Sequence, residues 1–253
     1  MKFLKTIDRL LFLRRCAACR EPLSENETVL CSACLAKWTL AKERICYKCH
    51  RRAVDCTCRP YNIGKSNIAQ YRSLVKFQSA VAKPVIYAMK RQNSKELYSF
   101  LASQLAETVW KYPGFSRENT VICHCPRKIA NLRRYGVDQA ELLADELGDI
   151  LDTDVLCALK SRSHRAQKKL GARARYANAA KSYSLTRDAR VEGKNVILID
   201  DIVTTGATAE ACAALLKSAG AENILFLSVA KTDRRYGKRY KKSGVTALGA
   251  RMY

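Results

Sequence analysis

Residues 196–208, VILIDDIVTTGAT, decide the fold of this chain. They begin with four large aliphatic residues, Val196 to Ile199, without polar alternation. Such a run predicts a strand that is buried on both faces, as in a parallel sheet covered by helices. Asp200 and Asp201 follow at its carboxyl end, where open α/β sheets bind their ligands. Two adjacent carboxylates at this position can accept hydrogen bonds from vicinal hydroxyl groups.

The polar turn after the aspartates predicts an anion site. Its residues are Thr204, Thr205, Gly206, Ala207 and Thr208. They offer successive backbone N–H groups and three hydroxyls, and the glycine permits a positive φ. The turn leads into a predicted helix over residues 209–219, whose N-terminus favours negative charge. The alternative is that the acids only solubilise a strand end and the turn only caps a helix. Because all three features coincide, the sequence favours a site for a ribose 5-phosphate group.

Eight of the twelve cysteines lie before residue 60, in closely spaced pairs. The pairs are Cys16 and Cys19, Cys31 and Cys34, Cys46 and Cys49, and Cys56 and Cys58. Two pairs complete one tetrahedral zinc shell, so eight thiols predict two structural Zn²⁺ sites. The simplest grouping is sequential, although a crossed grouping fits the same spacing. Because the last pair is unusually close in sequence, His50 is an alternative ligand of the second site.

Disulfide bonds are the other use of such cysteines and require an oxidising compartment. The apolar stretch over residues 10–13 is too short for a signal peptide and is followed by two arginines. We therefore expect a cytoplasmic protein with zinc-bound cysteines and no transmembrane segment. Cys123, His124 and Cys125 favour loop structure over a third zinc site, because neighbouring strand residues point to opposite faces. Cys157 and Cys212 are expected to be buried as small apolar side chains.

Helical and strand patterns alternate between the cysteine pairs and residue 196. Helices are predicted over residues 84–91, 97–109 and 137–150, and strands over residues 120–123 and 154–159. This alternation predicts an α/β fold with a doubly wound parallel sheet. We expect two domains, a double zinc ribbon with a basic N-terminal segment over residues 1–62 and the α/β domain with a basic C-terminal tail over residues 63–253. A ribbon of about 60 residues buries little core, so its folding is expected to depend on metal.

The stretch from Asp200 to Thr208 closely resembles the phosphoribosyl pyrophosphate (PRPP) signature of type I phosphoribosyltransferases. With the double ribbon it forms part of a longer ordered pattern, which includes Tyr87-x2-Lys90, Gly136-x2-Gln139-Ala140 and residues 167–178. Over nearly all of residues 16–231, this order resembles the ComF competence family. The resemblance implies a type I phosphoribosyltransferase-like fold. It also implies that the two aspartates hold the ribose 2′- and 3′-hydroxyls and that residues 204–208 bind the 5′-phosphate.

The chain departs from that family where pyrophosphate would bind. Residues 123–126 read CHCP, where the family commonly has Pro-Val-Pro, and residues 135–139 read YGVDQ in place of Arg-Gly-Phe-Asn-Gln. The residues nearest to the expected pyrophosphate are Cys125, Arg127 and Lys128. The resemblance also implies a Mg²⁺ ion that accompanies PRPP. The basic stretch over residues 161–178 is expected to close over the site as a hood.

The net charge of +23 is concentrated in three segments. Residues 1–60 carry 13 basic and 6 acidic side chains, residues 160–190 carry 10 and 1, and residues 231–253 carry 8 and 1. Such segments favour polyanion binding, with nucleic acid as the leading partner. The predicted nucleic-acid contacts are Lys168, Lys169, Arg173, Arg175, Arg234 and Arg235. A short basic and apolar stretch over residues 3–13 offers anionic lipid as an alternative partner.

Aromatic residues interleave with these charges and could stack on unpaired bases, although packing is the alternative for each of them. They are Trp38, Tyr47, Tyr61, Tyr176, Tyr183, Tyr236 and Tyr240.

Two functions fit the sequence. In the first, which the resemblance over the whole chain implies, the protein serves DNA uptake and binds single-stranded DNA and a PRPP-type ligand. Other DNA-uptake proteins, such as a helicase, are then further partners. In the second, the protein is an active phosphoribosyltransferase that uses PRPP and Mg²⁺ on an unknown acceptor, and the ribbons are a stabilising or docking module. The basic segments favour the first function, whereas the intact acid pair and threonine turn keep the second open.

Overall fold

The computed structural model describes residues 14–64, 66–112, 116–127, 129, 132, 136–162 and 182–232. The predicted contacts Lys128, Lys168, Lys169, Arg173, Arg175, Arg234 and Arg235 lie outside the described residues, as does most of the expected hood. Among the described residues, no helix has the length and apolar character needed to cross a membrane.

The amino-terminal part contains one turn that is built twice. Cys16 N donates to Glu21 O at 2.9 Å, and Cys46 N donates to Arg51 O at 2.8 Å. In both turns the residue directly after the second cysteine has a positive φ, 71° at Arg20 after Cys19 and 53° at His50 after Cys49. Helix α1, Ser32–Glu43, lies between the two turns and buries Cys34, Trp38 and Ala41.

A four-stranded parallel sheet has the order β1-β6-β5-β2. Its strands are β1 (Gln70–Lys76), β2 (Thr120–His124), β5 (Asn195–Val203) and β6 (Asn223–Lys231). A separate antiparallel pair consists of β3 (Leu159–Ser161) and β4 (Tyr183–Leu185). The remaining helices are α2 (Ala82–Gln92), α3 (Lys95–Val109), α4 (Gln139–Leu151) and α5 (Ala207–Ser218), and a 3₁₀ turn covers Arg117–Asn119.

The central strand β5 explains why both faces of the sheet are covered. Ile197 and Ile199 contribute to one buried cluster, which contains residues of α2, α3 and α4. Val196 and Leu198 contribute to the other, which contains residues of α5 and the β3–β4 pair. Successive side chains of a strand point to opposite faces, so a continuous aliphatic run needs apolar partners on both. The α/β fold with a doubly wound parallel sheet is therefore confirmed.

The ribbon shares a core with the sheet domain. Trp38 is 1% exposed and belongs to the same buried cluster as Leu101 of α3 and Leu227 of β6. Its ring centroid lies 6.0 Å from that of Phe100. The buried side chains of α1 thus pack as part of the main core.

Three sequence predictions need correction, one of burial and two of secondary structure. Cys157, which was expected to be buried, is exposed, whereas Cys212 is buried as expected. Strand β5 continues through the aspartates to Val203, so Asp200 and Asp201 lie within the strand, and Asp200 is in register with Ser228. The prediction of one continuous strand over residues 154–159 is wrong. Only an isolated bridge joins Val155 to Ile122, and the chain then pairs elsewhere as β3.

Candidate functional site

Asp200 and Asp201 lie where the carboxyl end of β5 faces helix α2. Asp201 Oδ2 is 3.3 Å from Lys90 Nζ and 3.9 Å from an Arg127 guanidinium nitrogen. Asp201 N donates to Asp200 Oδ1 at 2.8 Å, and Ile202 N donates to Asp201 Oδ1 at 2.6 Å. These contacts fix both carboxylates at the edge of the sheet.

The two acids differ in their electrostatic surroundings. Burial raises the pKa of Asp200 well above its ordinary value, and the neighbouring charge of Asp201 raises it further. Two carboxylates this close resist ionising together, so the site favours a protonated Asp200. A neutral carboxyl group can donate as well as accept a hydrogen bond, which suits a ligand with hydroxyl groups.

The turn over residues 204–208 has the conformation that the sequence predicts. Gly206 has φ 80° and forms the N-cap of α5. Ala207 N lies 3.4 Å from Thr205 Oγ1, to which it donates. Thr204 is exposed, and Thr208 Oγ1 is 3.5 Å from the hydroxyl of Tyr183. The turn therefore presents the amino end of a 12-residue helix beside the acid pair, which is suitable geometry for an anion.

The opposite wall of the site comes from the loop after β2 and the start of α4. Asp138 caps α4 by accepting from Ala140 N at 3.1 Å, and its second oxygen accepts from Arg127 N at 2.5 Å. The Arg127 guanidinium also donates to the carbonyl of Val137 at 3.4 Å. One buried carboxylate thus positions the loop that carries Arg127.

These walls enclose a pocket of about 230 Å³. It is lined by Lys90, Cys125, Pro126, Arg127, Asp138, Gln139, Ala140, Tyr183, Asp200, Asp201, Ile202 and Thr208. The Gln139 side chain is 1% exposed, and its amide nitrogen and oxygen have no hydrogen bond within 3.5 Å among the described residues. Buried polar groups normally have partners, so this amide is suited to a polar ligand.

The structure brings together most of the residues that the sequence singled out. Asp200, Asp201, Thr208, Cys125 and Arg127 line one pocket, and Thr205 and Gly206 are buried in the adjoining turn. Burial raises the pKa of Cys125 well above the usual thiol range, with the neighbouring Cys212 as the next cause. Cys125 therefore favours the neutral thiol.

Sequence reasoning missed four residues of this pocket. Lys90 and Gln139 were recognised only as positions of a family pattern, and Asp138 had no role. The amphipathic helix after Asp138 was a signal for its capping position. Tyr183 was expected among the stacking aromatics, but it is 4% exposed and forms a wall of the pocket. Trp38 is also buried, so neither ring can stack on bases, whereas Tyr47 and Tyr61 are 54% and 87% exposed.

The eight amino-terminal cysteines form two groups of four in the sequential order. One group contains Cys16, Cys19, Cys31 and Cys34, and the other contains Cys46, Cys49, Cys56 and Cys58. Sulfur pairs lie 3.7 Å apart in the first group and 3.6 and 3.9 Å apart in the second. Four sulfurs at about 2.3 Å from a tetrahedral Zn²⁺ would be about 3.8 Å from one another. Both groups therefore fit zinc, and His50 is not part of the second group.

The first cysteine of each group favours the thiolate. Burial acts to raise the pKa of Cys16, but backbone N–H groups, led by that of Cys19, outweigh it and lower the pKa to about 6. At Cys46 burial is again opposed by backbone N–H groups, led by that of Lys48, and the pKa falls to about 6. The repeated turn thus favours, in both groups, the thiolate form that a metal ion requires.

Comparison with known proteins defines the class. A family model described as "Phosphoribosyl transferase domain" matches residues 101–247, more than half of the chain. The protein belongs to this family.

Relatives then define the group within the class. The chain is 26% identical to "Competence protein ComFC" of Streptococcus pneumoniae over 233 residues, which cover 91% of this chain and 96% of that protein. It is 25% identical to "DNA utilization protein YhgH" of Escherichia coli strain K12, over 86% of this chain and 96% of that protein. The predicted resemblance to the ComF competence family is confirmed, and the protein is a competence-related, phosphoribosyltransferase-like protein.

One solved structure with a related fold is an adenine phosphoribosyltransferase from Thermoanaerobacter pseudethanolicus. It is 21% identical, covers 64% of this chain and 81% of its own, and has a TM-score of 0.37.

Proposed function

We propose that this protein binds a PRPP-type ligand at the carboxyl edge of its sheet and binds single-stranded DNA through basic surfaces. The observation that carries the first part is the placement of the acid pair. Asp200 and Asp201 lie in one pocket with the cations Lys90 and Arg127, beside a turn with a left-handed glycine at the start of a helix.

Each part of the ligand finds complementary groups. The ribose 2′- and 3′-hydroxyls would exchange hydrogen bonds with the acid pair. The 5′-phosphate would accept from backbone N–H groups of residues 204–208, with the partial positive charge of the α5 N-terminus in support. The pyrophosphate would lie towards Arg127, with the Cys125 segment as its floor. Mg²⁺ that arrives with PRPP would offset the pyrophosphate charge.

The eight cysteines would hold two structural zinc ions. The sulfur separations and the sequential grouping support this proposal. Zinc would supply folding free energy to a segment whose apolar core is small by itself.

DNA binding is supported by a second surface that the structure describes. A cleft of about 400 Å³ runs between the first cysteine turn and α2. It contains the cations of Arg20, Lys83 and Arg91, its lining residues include no acid, and the ring of Tyr87 is 45% exposed. A cleft that combines cations with an aromatic face suits a single strand, whose backbone is anionic and whose bases can stack. The relatives named for competence and DNA utilization point the same way.

Titration calorimetry with PRPP and Mg²⁺ tests the small-ligand site. Replacing Asp200 and Asp201 together by Asn should abolish measurable binding, whereas Asp188→Asn, an exposed acid outside the pocket, should bind as the unaltered protein does. Equal affinity of all three proteins would reject the assignment.

Fluorescence anisotropy with a labelled oligonucleotide tests the DNA surface. Charge reversal at Lys83 and Arg91 should weaken binding severalfold, and the affinity of the unaltered protein should fall steeply with salt because bound phosphates release counterions. Charge reversal at Lys111 and Arg187, two exposed cations outside the cleft, lowers the net charge by the same amount and is the control. DNA affinity that changes neither with salt nor with charge reversal at Lys83 and Arg91 would rule out this surface.

Active phosphoribosyl transfer is a second candidate, favoured by the position of Arg127. Its guanidinium lies in the pocket with the acid pair, where it could stabilise charge on departing pyrophosphate. The protein with PRPP and Mg²⁺ should then release pyrophosphate when offered a panel of amines and bases. Release that Arg127→Ala does not slow would contradict this role.

A further inference from the structure

The segment over residues 59–69, here called the strap, connects the second cysteine group to strand β1. It begins directly after Cys58 and ends directly before Gln70, and residue 65 lies outside the described part. Between these points the strap runs against the ribose-phosphate turn of residues 204–208. None of its described residues belongs to the pocket lining.

The strap is fastened to the turn at two positions. Asn62 N donates to the carbonyl of Thr205 at 2.8 Å. Gly206 faces the strap so closely that a Cβ atom there would lie 2.4 Å from Ile63 Cγ1 and 3.3 Å from Pro60 Cβ. The left-handed turn is therefore pressed against the strap on the side where only a glycine fits.

A buried carboxylate makes the third attachment. Glu210, in the first turn of α5, is 4% exposed. One of its oxygens accepts from Gly64 N at 3.1 Å, and the other accepts from Asn67 Nδ2 at 2.8 Å. Carboxylates are rarely buried without specific partners, and hydrogen bonds to a charged group are stronger than neutral ones. Glu210 thus joins the strap to the helix whose N-terminus forms the anion site.

The other end of the strap is tied to the second cysteine group. Arg59 follows Cys58, and its guanidinium donates to the carbonyls of Gly64, Ile68 and Ala69, which closes the strap into a compact loop. Lys231 Nζ lies 2.9 Å from Cys56 Sγ, so the same cysteine group is also attached to the end of β6.

We infer that the strap is a positioning element that holds the ribose-phosphate turn in its ligand-ready conformation, with Glu210 as its positioning residue. Through the strap, the order of the turn depends on the second cysteine group and not on the first. This inference rests on the proposed PRPP-type site, because it assigns a support to that site.

Amide hydrogen exchange of the full-length protein without ligand tests the strap by itself. In Glu210→Gln only one side-chain oxygen remains to accept from the Gly64 N–H and the Asn67 amide, so exchange in residues 204–208 should accelerate at least about tenfold. Glu222→Gln, at an exposed position before β6, should leave these rates unchanged. Unchanged rates in Glu210→Gln would overturn the inference.

A matched pair of cysteine variants tests the connection to the metal-binding end. Cys58→Ser should accelerate exchange in residues 204–208, whereas Cys19→Ser, in the first group, should not. Acceleration by both variants alike, or by neither, would overturn the link to the second group.

Calorimetry with PRPP separates this inference from the proposed function. If the unaltered protein binds PRPP, Glu210→Gln should bind at least about tenfold more weakly, with zinc content and far-UV circular dichroism unchanged. Equal affinity would overturn the strap as a positioning element. An unaltered protein that binds no PRPP would instead reject the proposed ligand, and the exchange rates would then decide on the strap.

Discussion

The two cysteine groups have the same local structure but different surroundings. Both use a turn in which the first cysteine N–H donates five residues ahead and a residue with positive φ follows the pair. The first group lies beside apolar residues, with Cys16 and Cys34 in the same core cluster as Trp38. The second group is joined to the strap by the chain itself, because Arg59 follows Cys58, and it has a polar contact with Lys231. One motif thus serves packing in one place and, in the arrangement that we propose, supports a binding site in another.

The largest effect should follow from removing metal from both groups. Purified protein is expected to contain two zinc ions per chain, as measured by inductively coupled plasma mass spectrometry. Structural zinc contributes on the order of 10 kcal/mol to such modules, so a strong chelator should expose the residues before the strap to protease. Protein that resists protease equally with and without chelator would contradict a structural role for the metal.

Truncation of a core side chain beside the first cysteine group should have the next largest effect on stability. Trp38→Ala removes a side chain that is 1% exposed and lies against Phe100. The free energy of unfolding should fall by about 3–5 kcal/mol, as measured by urea titration. Because this change is on the first group's side, PRPP affinity of the folded protein should stay the same. A loss of PRPP affinity in Trp38→Ala would show that the surroundings of the first cysteine group also influence the proposed binding site.

Crowding of the strap against the turn should reduce stability less than Trp38→Ala does and should reduce PRPP binding more. In Gly206→Ala, the new methyl group would meet Ile63, and overpacking of this kind costs about 1–3 kcal/mol. PRPP affinity should fall more than stability does.

Gly193→Ala is a matched control, because Gly193 also has a positive φ, 66°, but an added methyl group there would meet no described heavy atom within 4 Å. The difference between the two variants isolates the contact with the strap from backbone strain. Identical calorimetric and urea results for both would remove the contact as a cause.

The smallest effect concerns the pH dependence of the acid pair. Since burial raises the pKa of Asp200 in the folded state, the folded protein binds more protons than the unfolded chain above the ordinary aspartate pKa of about 4. Stability from this residue is therefore present at low pH and is lost as pH rises towards the folded pKa. Asp200→Asn should be more stable than the unaltered protein at pH 7, with the difference vanishing near pH 4. Urea titrations at both pH values measure this, and a difference that grows towards low pH would contradict the shift.

The sequence predicted those features that depend on residues close to one another in the chain. Four consecutive aliphatic residues identified β5, and the cysteine spacing identified both groups, because backbone periodicity and metal geometry act over short distances. The strand at residues 154–159 was wrong because apolar residues there serve a single bridge to Ile122 before the chain turns to β3. Nothing local distinguishes such a bridge from a strand.

The pocket walls were harder to predict because they depend on distant contacts. Asp201 meets Lys90 across more than 100 residues, and Glu210 meets Gly64 across 146. Tyr183 resembled a surface aromatic among basic neighbours until the packing of β4 against α5 placed it inside. The cysteine groups and the acid pair could be recognised in the sequence, whereas the contacts of the strap between them required the fold.

The strand order has a consequence for synthesis of the protein. Strand β6 lies between β1 and β5, so among the described strands β1 has no sheet neighbour until residue 231 has left the ribosome. At about 5–20 residues per second, that delay is on the order of ten to thirty seconds after β1 emerges. During this time the unpaired backbone groups and apolar side chains of β1 are accessible to chaperones and to incorrect strand pairing. Slow translation late in the message should therefore increase misfolding more than slow translation early in it.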